Sequence, residues 1–326
     1  MVQSLNIGTI FEFRNGNVIL ILPEMGDIKN ESKFSRNKKH KYLFLYIIPM
    51  RAIVVHGGLS VREELQRHVE EYANIAILED EPLEAVVKAV QLMEDDPLYN
   101  AGTGSNMRFD GSIQMDAAVM VPGNFGAVIN IEHVKNPVLV AKDVMLHSPH
   151  LILSGDGAVS FARRMGYEYY DPTTERAIEK REKTLKKLRL GEIPEHYHPE
   201  FFKELLGDTV GAVAFYDGNF AAAVSTGGTS LTLRGRVGDS PIPGAGIYCG
   251  PKGAVVATGI GEEIIKRMLA INIYHSIGTK PLEKICKEMI EDFGDIPVGV
   301  IAITAEEQCA VSNMVMPSAT VILDER

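Results

Sequence analysis

The sequence predicts a mixed helix-and-strand chain of the α+β class, with the fold running from residue 50 to residue 326. Three observations carry that expectation. Apolar strand-like runs and segments of helical period alternate from Met50 onward. The second half is dominated by short β-branched and alanine-rich runs separated by glycine turns. Composition is ordinary for a globular protein, with 45% hydrophobic and 23% charged residues, which excludes a disordered, collagen-like or coiled-coil chain.

The elements follow in order. Residues 1–49 show weak periodicity and contain a basic cluster, Glu31 to Lys41. They are read as an extension outside the fold, with Met50 as the natural start; a regulatory or anchoring arm is the alternative. Arg51-Ala-Ile-Val-Val-His56 has the signature of a buried strand. Pro82 stands at a first helical turn, and Leu83, Val86, Val87, Val90 and Met93 then form one apolar face. Asp116 to Val121 and Gly126 to Ile131 read as strands. Pro137 to Met145 reads as a helix, and Phe161 to Gly166 as the end of another.

Residues 168–207 change character. Between Glu175 and Arg189, ten of fifteen residues are charged, and Gly191, Pro194 and Pro199 follow. This predicts a solvated helix and a flexible linker. Beyond it, Thr209 to Tyr216 and Asn219 to Thr226 are strand-like, joined by Asp217-Gly218, a strong hairpin signal. Ile247-Tyr248 and Ala254 to Gly259 predict a second hairpin across Gly250–Gly253. Glu262 to His275 and Pro281 to Phe293 read as helices; Val298 to Thr304, Cys309 to Ser312 and Thr320 to Leu323 read as closing strands.

Charge narrows the function. The net charge is −10, from 33 basic and 43 acidic residues, which argues against a nucleic-acid or anionic-membrane surface. The three cysteines (Cys249, Cys286 and Cys309) are too few and too scattered for a disulfide framework or zinc site, and a reducing cytosol is the simpler expectation. The longest apolar run, Tyr42 to Met50, is far short of the roughly 20 residues of a spanning helix. Residues 1–10 lack the cationic start and apolar core of a signal peptide.

Familiar catalytic motifs are absent. The sequence has no P-loop, no G-x-S-x-G elbow and no paired-histidine zinc helix. Gly102-Thr-Gly104 lacks the third glycine of a dinucleotide fingerprint. His147 and His150 read as a satisfied or exposed pair rather than ligands. What remains is one dense stretch, 207–261. It holds Asp208-Thr209-Val-Gly211, Ser225-Thr226-Gly-Gly228, Gly235-Arg236-Val-Gly-Asp239-Ser-Pro241 and Thr258-Gly259-Ile-Gly261. Glycines let backbone N–H groups approach a ligand. An arginine and an aspartate three residues apart can hold the two ends of a zwitterion. The bland alternative is that the glycines are turn residues and Arg236 and Asp239 form a local ion pair.

This stretch resembles the plant-type L-asparaginase and isoaspartyl aminopeptidase family, which includes glycosylasparaginase. The resemblance runs from about His56 to the C-terminus. It also takes in Tyr99-Asn100-Ala-Gly-Thr-Gly104, His133-Val-Lys-Asn-Pro137 and Ser148-Pro-His150. Residues 1–49 lie outside it.

The resemblance implies a four-layer αββα sandwich of the N-terminal-nucleophile hydrolase type. It implies autocleavage between Asp208 and Thr209, giving an α chain of residues 50–208 and a β chain of residues 209–326. Thr209 would then attack as nucleophile, with its new α-amine, of pKa about 7.7–8.0, as the base. Thr226 would tune the Thr209 hydroxyl. Thr258 and the Gly259 N–H would form an oxyanion hole, such donors being worth about 3–4 kcal/mol each. Arg236 would bind the substrate α-carboxylate and Asp239 its α-amine, with Gly261 beside them and Asn100 near the nucleophile. The 93–103 loop matches one that holds a structural sodium on backbone carbonyls; no other cofactor is implied. The implied substrates are small molecules or dipeptides, and the implied assembly is a dimer of cleaved αβ heterodimers.

Some features point within the family. Aspartate before the nucleophile looks like glycosylasparaginase, whereas Thr226-Gly-Gly228 looks like the asparaginase side. The chain has no tryptophan, although glycosylasparaginases place one near the substrate. The expectation is therefore an asparaginase with isoaspartyl dipeptidase activity. Glycosylasparaginase is the runner-up, and a threonine endopeptidase or an uncut binding protein is the reading from another class.

Overall fold

The structure is a computed structural model that describes residues 10–14, 17–21, 50–60, 62, 64–192 and 209–324. Asp208, most of the 1–49 extension and linker residues 193–207 lie outside the described residues. In chain order the first elements are β1 (Ile10–Arg14), β2 (Asn17–Ile21), β3 (Met50–His56), α1 (Glu64–Ala76), α2 (Pro82–Asp95), β4 (Met115–Val121) and β5 (Asn124–Ile131). Then come α3 (Pro137–His147), β6 (Ile152–Ser154), α4 (Gly155–Arg164), α5 (Glu175–Arg189), β7 (Val210–Tyr216) and β8 (Asn219–Thr226). The chain closes with β9 (Ile247–Gly250), β10 (Gly253–Gly259), α6 (Gly261–Arg267), α7 (Leu269–Ser276), α8 (Leu282–Glu291), β11 (Val298–Ile303), β12 (Gln308–Ser312) and β13 (Ser318–Asp324).

Among the described residues two main sheets form the frame. One has seven strands in the order β13-β3-β7-β8-β4-β5-β6, and the other four in the order β12-β11-β10-β9. Every pairing within them is antiparallel except β5 with β6. β1 and β2 pair with each other as a separate ribbon.

The central strands β7, β10 and β11 are buried at every position, and successive side chains enter different clusters, which explains the near-continuous apolar runs. In β7, Ala212 and Ala214 join a cluster with α2, whereas Val213 and Phe215 join one with β10 and β11. A strand covered on both faces has no wet side on which to place polar residues. The outer face of the small sheet, through Val255, Ala257 and Val300, packs on α7 and α8. Burying an aliphatic side chain stabilises by about 1.5–3 kcal/mol, so the three clusters hold the helices and the two sheets together.

Local signals act as the sequence predicts in most elements. Pro82 occupies the first turn of α2, and Pro137 that of α3. Asp217 and Gly218 adopt φ +48° and +93°, the left-handed pair that a tight β7–β8 hairpin requires.

Two expectations need correction. The segment 262–275 is not one helix: Met268 adopts φ +47° and its N–H caps the end of α6, so the chain turns and α7 starts anew. The charged helix α5 is not wholly solvated: Ala177 and Thr184 are buried. Arg181 of α5 also bonds the backbone of Arg108 and Phe109. No helix among the described residues is long and apolar enough to cross a membrane.

Candidate active site

The N-terminal end of β7 meets the C-terminal end of β10 where the two sheets abut. Val210 pairs with Ser225, so continuing the register sets Thr209 opposite Thr226. Thr209, Thr226 and Thr258 are all buried. The Thr209 N–H donates to the Thr258 hydroxyl oxygen at 3.4 Å, a bond that joins the large sheet to the small one. The Thr226 hydroxyl oxygen accepts the Gly228 N–H at 3.0 Å. Gly259 follows Thr258 with φ +146°, and a Cβ there would stand 2.4 Å from the Pro297 carbonyl oxygen. Only glycine fits, and it keeps the backbone N–H beside Thr258 open to close approach.

Asn100 lies beside the turn that follows Thr226. Its amide donates to the Gly228 carbonyl at 2.8 Å, its own carbonyl accepts the Gly227 N–H, and its side-chain oxygen accepts the Asn106 N–H. Asn100 therefore fixes the turn after Thr226.

Arg236, Asp239 and Gly261 also converge. A Cβ on Gly261 would lie 2.8 Å from both Arg236 Nη2 and Asp239 Oδ1, so this glycine is the floor on which the two side chains meet. Asp239 is buried, and its Oδ2 has no hydrogen-bond partner among the described residues. Burial pushes its carboxyl up to about 7; Arg236 opposes the shift, and Glu262 and Asp116 add to it. A buried carboxylate with an unfilled oxygen is a docking point for a cation.

The local ion pair of Arg236 is made with Glu262. Nε reaches Oε1 at 2.9 Å and Nη2 reaches Oε2 at 2.8 Å. Burial would lower the arginine's pKa, but this fork more than offsets it and the group is held above its ordinary value. Thus one edge of the guanidinium is already committed to the protein.

The 93–103 loop was the expected sodium cradle. Its carbonyls at Asp96, Pro97, Leu98, Asn100, Ala101 and Gly102 each accept a hydrogen bond from the protein. No cluster of three acidic, histidine or cysteine side chains that could hold a metal occurs among the described residues. His147 bonds Asp143 at 3.1 Å on an exposed helix end, in keeping with a satisfied histidine.

The family model described as asparaginase matches residues 50–323. The chain belongs to the asparaginase family. It is 44% identical over 238 residues to the plant-type L-asparaginase of Pyrococcus furiosus, covering 68% of this chain and 78% of that one. It is 36% identical over 287 residues to the isoaspartyl peptidase of Escherichia coli, covering 79% and 88%. It is also 36% identical over 239 residues to the N(4)-(β-N-acetylglucosaminyl)-L-asparaginase of Elizabethkingia miricola, covering 68% and 67%. As a member of the asparaginase family the protein is a hydrolase of C–N amide bonds.

Sequence reasoning missed three ionisable groups around this asparaginase-family site. In the sequence Glu262 reads only as the start of a helix; its position one residue into α6, facing a glycine-rich arginine loop, is the available signal. Glu94 gave no signal beyond a helical acid. It is fully buried in α2, where its Oε1 accepts the Ser225 hydroxyl at 2.6 Å and the Val138 N–H at 3.0 Å. Burial raises its carboxyl to about 8, against those hydrogen bonds. Arg108 is likewise fully buried.

Proposed function

We propose that the protein is a self-processing threonine amidohydrolase. It cuts itself between Asp208 and Thr209, then hydrolyses the β-amide of L-asparagine and of β-aspartyl dipeptides. The observation that carries this reading is the meeting of Thr209 and Thr258 across the two sheets, 3.4 Å apart at the Thr209 nitrogen. The layer order of helices, seven-stranded sheet, four-stranded sheet and helices supports the αββα sandwich of the N-terminal-nucleophile hydrolases.

The chemistry follows from what the cut creates. In the uncut chain the Thr209 nitrogen is an amide and cannot take a proton. Once free, it is an α-amine with ordinary pKa of about 7.7–8.0, so it is available as a base near neutrality. The amine takes the proton of the Thr209 hydroxyl as that oxygen attacks the substrate's side-chain carbonyl carbon. The Thr258 hydroxyl and the Gly259 N–H receive the oxyanion, and the proton passes to the leaving amine or ammonia. Water, deprotonated by the same amine, then releases aspartate from the Thr209 ester.

Substrate class rests on Arg236 and Asp239. Arg236 meets the α-carboxylate, and the unfilled oxygen of Asp239 meets the α-ammonium. A free α-amino acid head supplies both charges on one carbon, whereas the interior of a peptide chain supplies neither. This favours asparagine and β-aspartyl dipeptides over a threonine endopeptidase. We further propose that the protein works as a dimer of cleaved heterodimers.

Aspartate at 208 favours a second reading, an N-glycosyl asparagine amidase with the same clamp and a different leaving-group pocket. Ammonia or aspartate release from millimolar L-asparagine, a β-aspartyl dipeptide and N-glycosyl asparagine, beside Thr209→Ala, tests the reading. Turnover of the first two, absent in the variant, is expected. Turnover of the glycosyl substrate alone would move the second reading forward, and no turnover of any of the three would sink both.

A further inference from the structure

The clamp arginine is held on its backbone side by a second, fully buried arginine. Arg108 stands on the segment between α2 and β4, with no exposed surface. Its Nη2 donates to the Arg236 carbonyl at 3.3 Å and to the Gln114 carbonyl at 3.1 Å. Its Nη1 donates to the Thr232 hydroxyl. The Phe109 N–H bonds the Thr232 carbonyl and the Leu231 N–H bonds the Met107 carbonyl, so the two chains run side by side. Asp116 of β4 is the nearby buried counter-charge; it accepts the Asn130 N–H at 2.7 Å and a backbone hydrogen bond from Gly238. The Arg108–Asp116 pair thus grips the clamp loop on both sides of Val237.

Arg108 is in turn held from outside. Arg181 of α5 donates from Nη2 to the Phe109 carbonyl at 2.7 Å and from Nε to the Arg108 carbonyl at 3.3 Å. A cation that loses water so completely is retained only where its hydrogen bonds are specific. Burial lowers the Arg108 pKa to about 10, which leaves it charged at neutral pH.

We infer that Arg108 is a positioning residue for the substrate clamp, and that the charged helix α5 steadies the clamp through Arg181 and Arg108. The inference rests on the reading of Arg236 as the carboxylate-binding group. It makes α5 more than a tether to the cleavage point: the helix that precedes the cut also sets how firmly the site reads an α-carboxylate.

Arg108→Lys tests this, because a lysine keeps the charge but cannot reach Thr232, Gln114 and Arg236 together. The probes are L-asparagine and its α-amide, which lacks the carboxylate. Wild type is expected to prefer L-asparagine strongly. In Arg108→Lys, KM for L-asparagine should rise about tenfold with kcat changed little, and the preference should shrink by a similar factor. Arg181→Ala, which lies at the surface end of the chain of contacts, should give the same pattern at about threefold. A purely structural role would lower the melting temperature and leave KM and the preference of the folded, cleaved enzyme unchanged. That result overturns the inference. If Arg108→Lys does not fold, Arg181→Ala decides alone: a raised KM supports the inference and an unchanged KM overturns it. A wild type indifferent to the α-carboxylate would overturn the reading of Arg236, and this inference with it.

Discussion

With Asp239 as the proposed receiver of the substrate ammonium, substrate affinity should depend on pH. Its carboxyl is raised to about 7, first by burial, then by Glu262 and Asp116, with Arg236 pulling the other way. Below that value the free site holds a neutral acid, while the substrate ammonium still carries its charge. Affinity should therefore fall as pH falls through 7. Each pH unit below the pKa removes tenfold of the ionised form, or about 1.4 kcal/mol. The loss is capped by the value of the charge-assisted bond, about 1.5–3 kcal/mol. Between pH 8 and pH 5.5, KM for L-asparagine should rise about 10- to 30-fold. The assay is initial rates over that range with kcat and KM resolved, because the proposed Thr209 α-amine base would govern kcat on a separate limb. Asp239→Asn should raise KM at pH 8 and make it nearly flat with pH. A wild-type KM constant within about twofold from pH 5.5 to 8 would refute the reasoning.

Two further outcomes follow from Glu262 and from the buried Glu94. Glu262→Gln replaces a two-point ionic fork on Arg236 with a neutral contact, and KM for L-asparagine should rise about tenfold with kcat changing less; an unchanged KM in a steady-state assay would contradict it. Glu94 has a folded pKa of about 8 against an ordinary 4.5, so the folded state binds the extra proton. Its contribution to stability is full below about 4.5 and is lost as pH rises through about 8. Glu94→Gln should therefore flatten the fall in melting temperature between pH 5 and 9, measured by thermal unfolding, and an unaltered profile would count against a buried proton there.

Much of the fold was legible because local signals and burial agreed. Pro82, Pro137 and Asp217-Gly218 each fix a backbone position that long-range packing does not contest. Continuous apolar runs such as Val210–Tyr216 identified strands covered on both faces. The break at Met268 was not legible, since nothing in Arg267-Met268-Leu269 forbids a helix; docking of α7 on β9 and β10 imposes the turn. Thr209, Thr258, Arg236, Asp239 and Gly261 all stand in one dense stretch of sequence; the structure joins Thr209 to Thr258 and sets Gly261 against Arg236 and Asp239. Glu262 and Arg108 were not, because their meaning depends on which loop they face. Arg108 is 128 residues from Arg236 in sequence. The thiols of Cys286 and Cys309 are similar: scattered in sequence, they stand 3.5 Å apart between α8 and β12.

The central claim is that Thr209 becomes an N-terminal nucleophile. Intact mass under denaturing conditions, before and after long incubation, tests it most directly when run beside Thr209→Ala. The account predicts two fragments whose masses meet at the Asp208–Thr209 bond, the smaller spanning residues 209–326, and a single uncut chain in the variant. A wild-type chain that hydrolyses asparagine while remaining whole would contradict it.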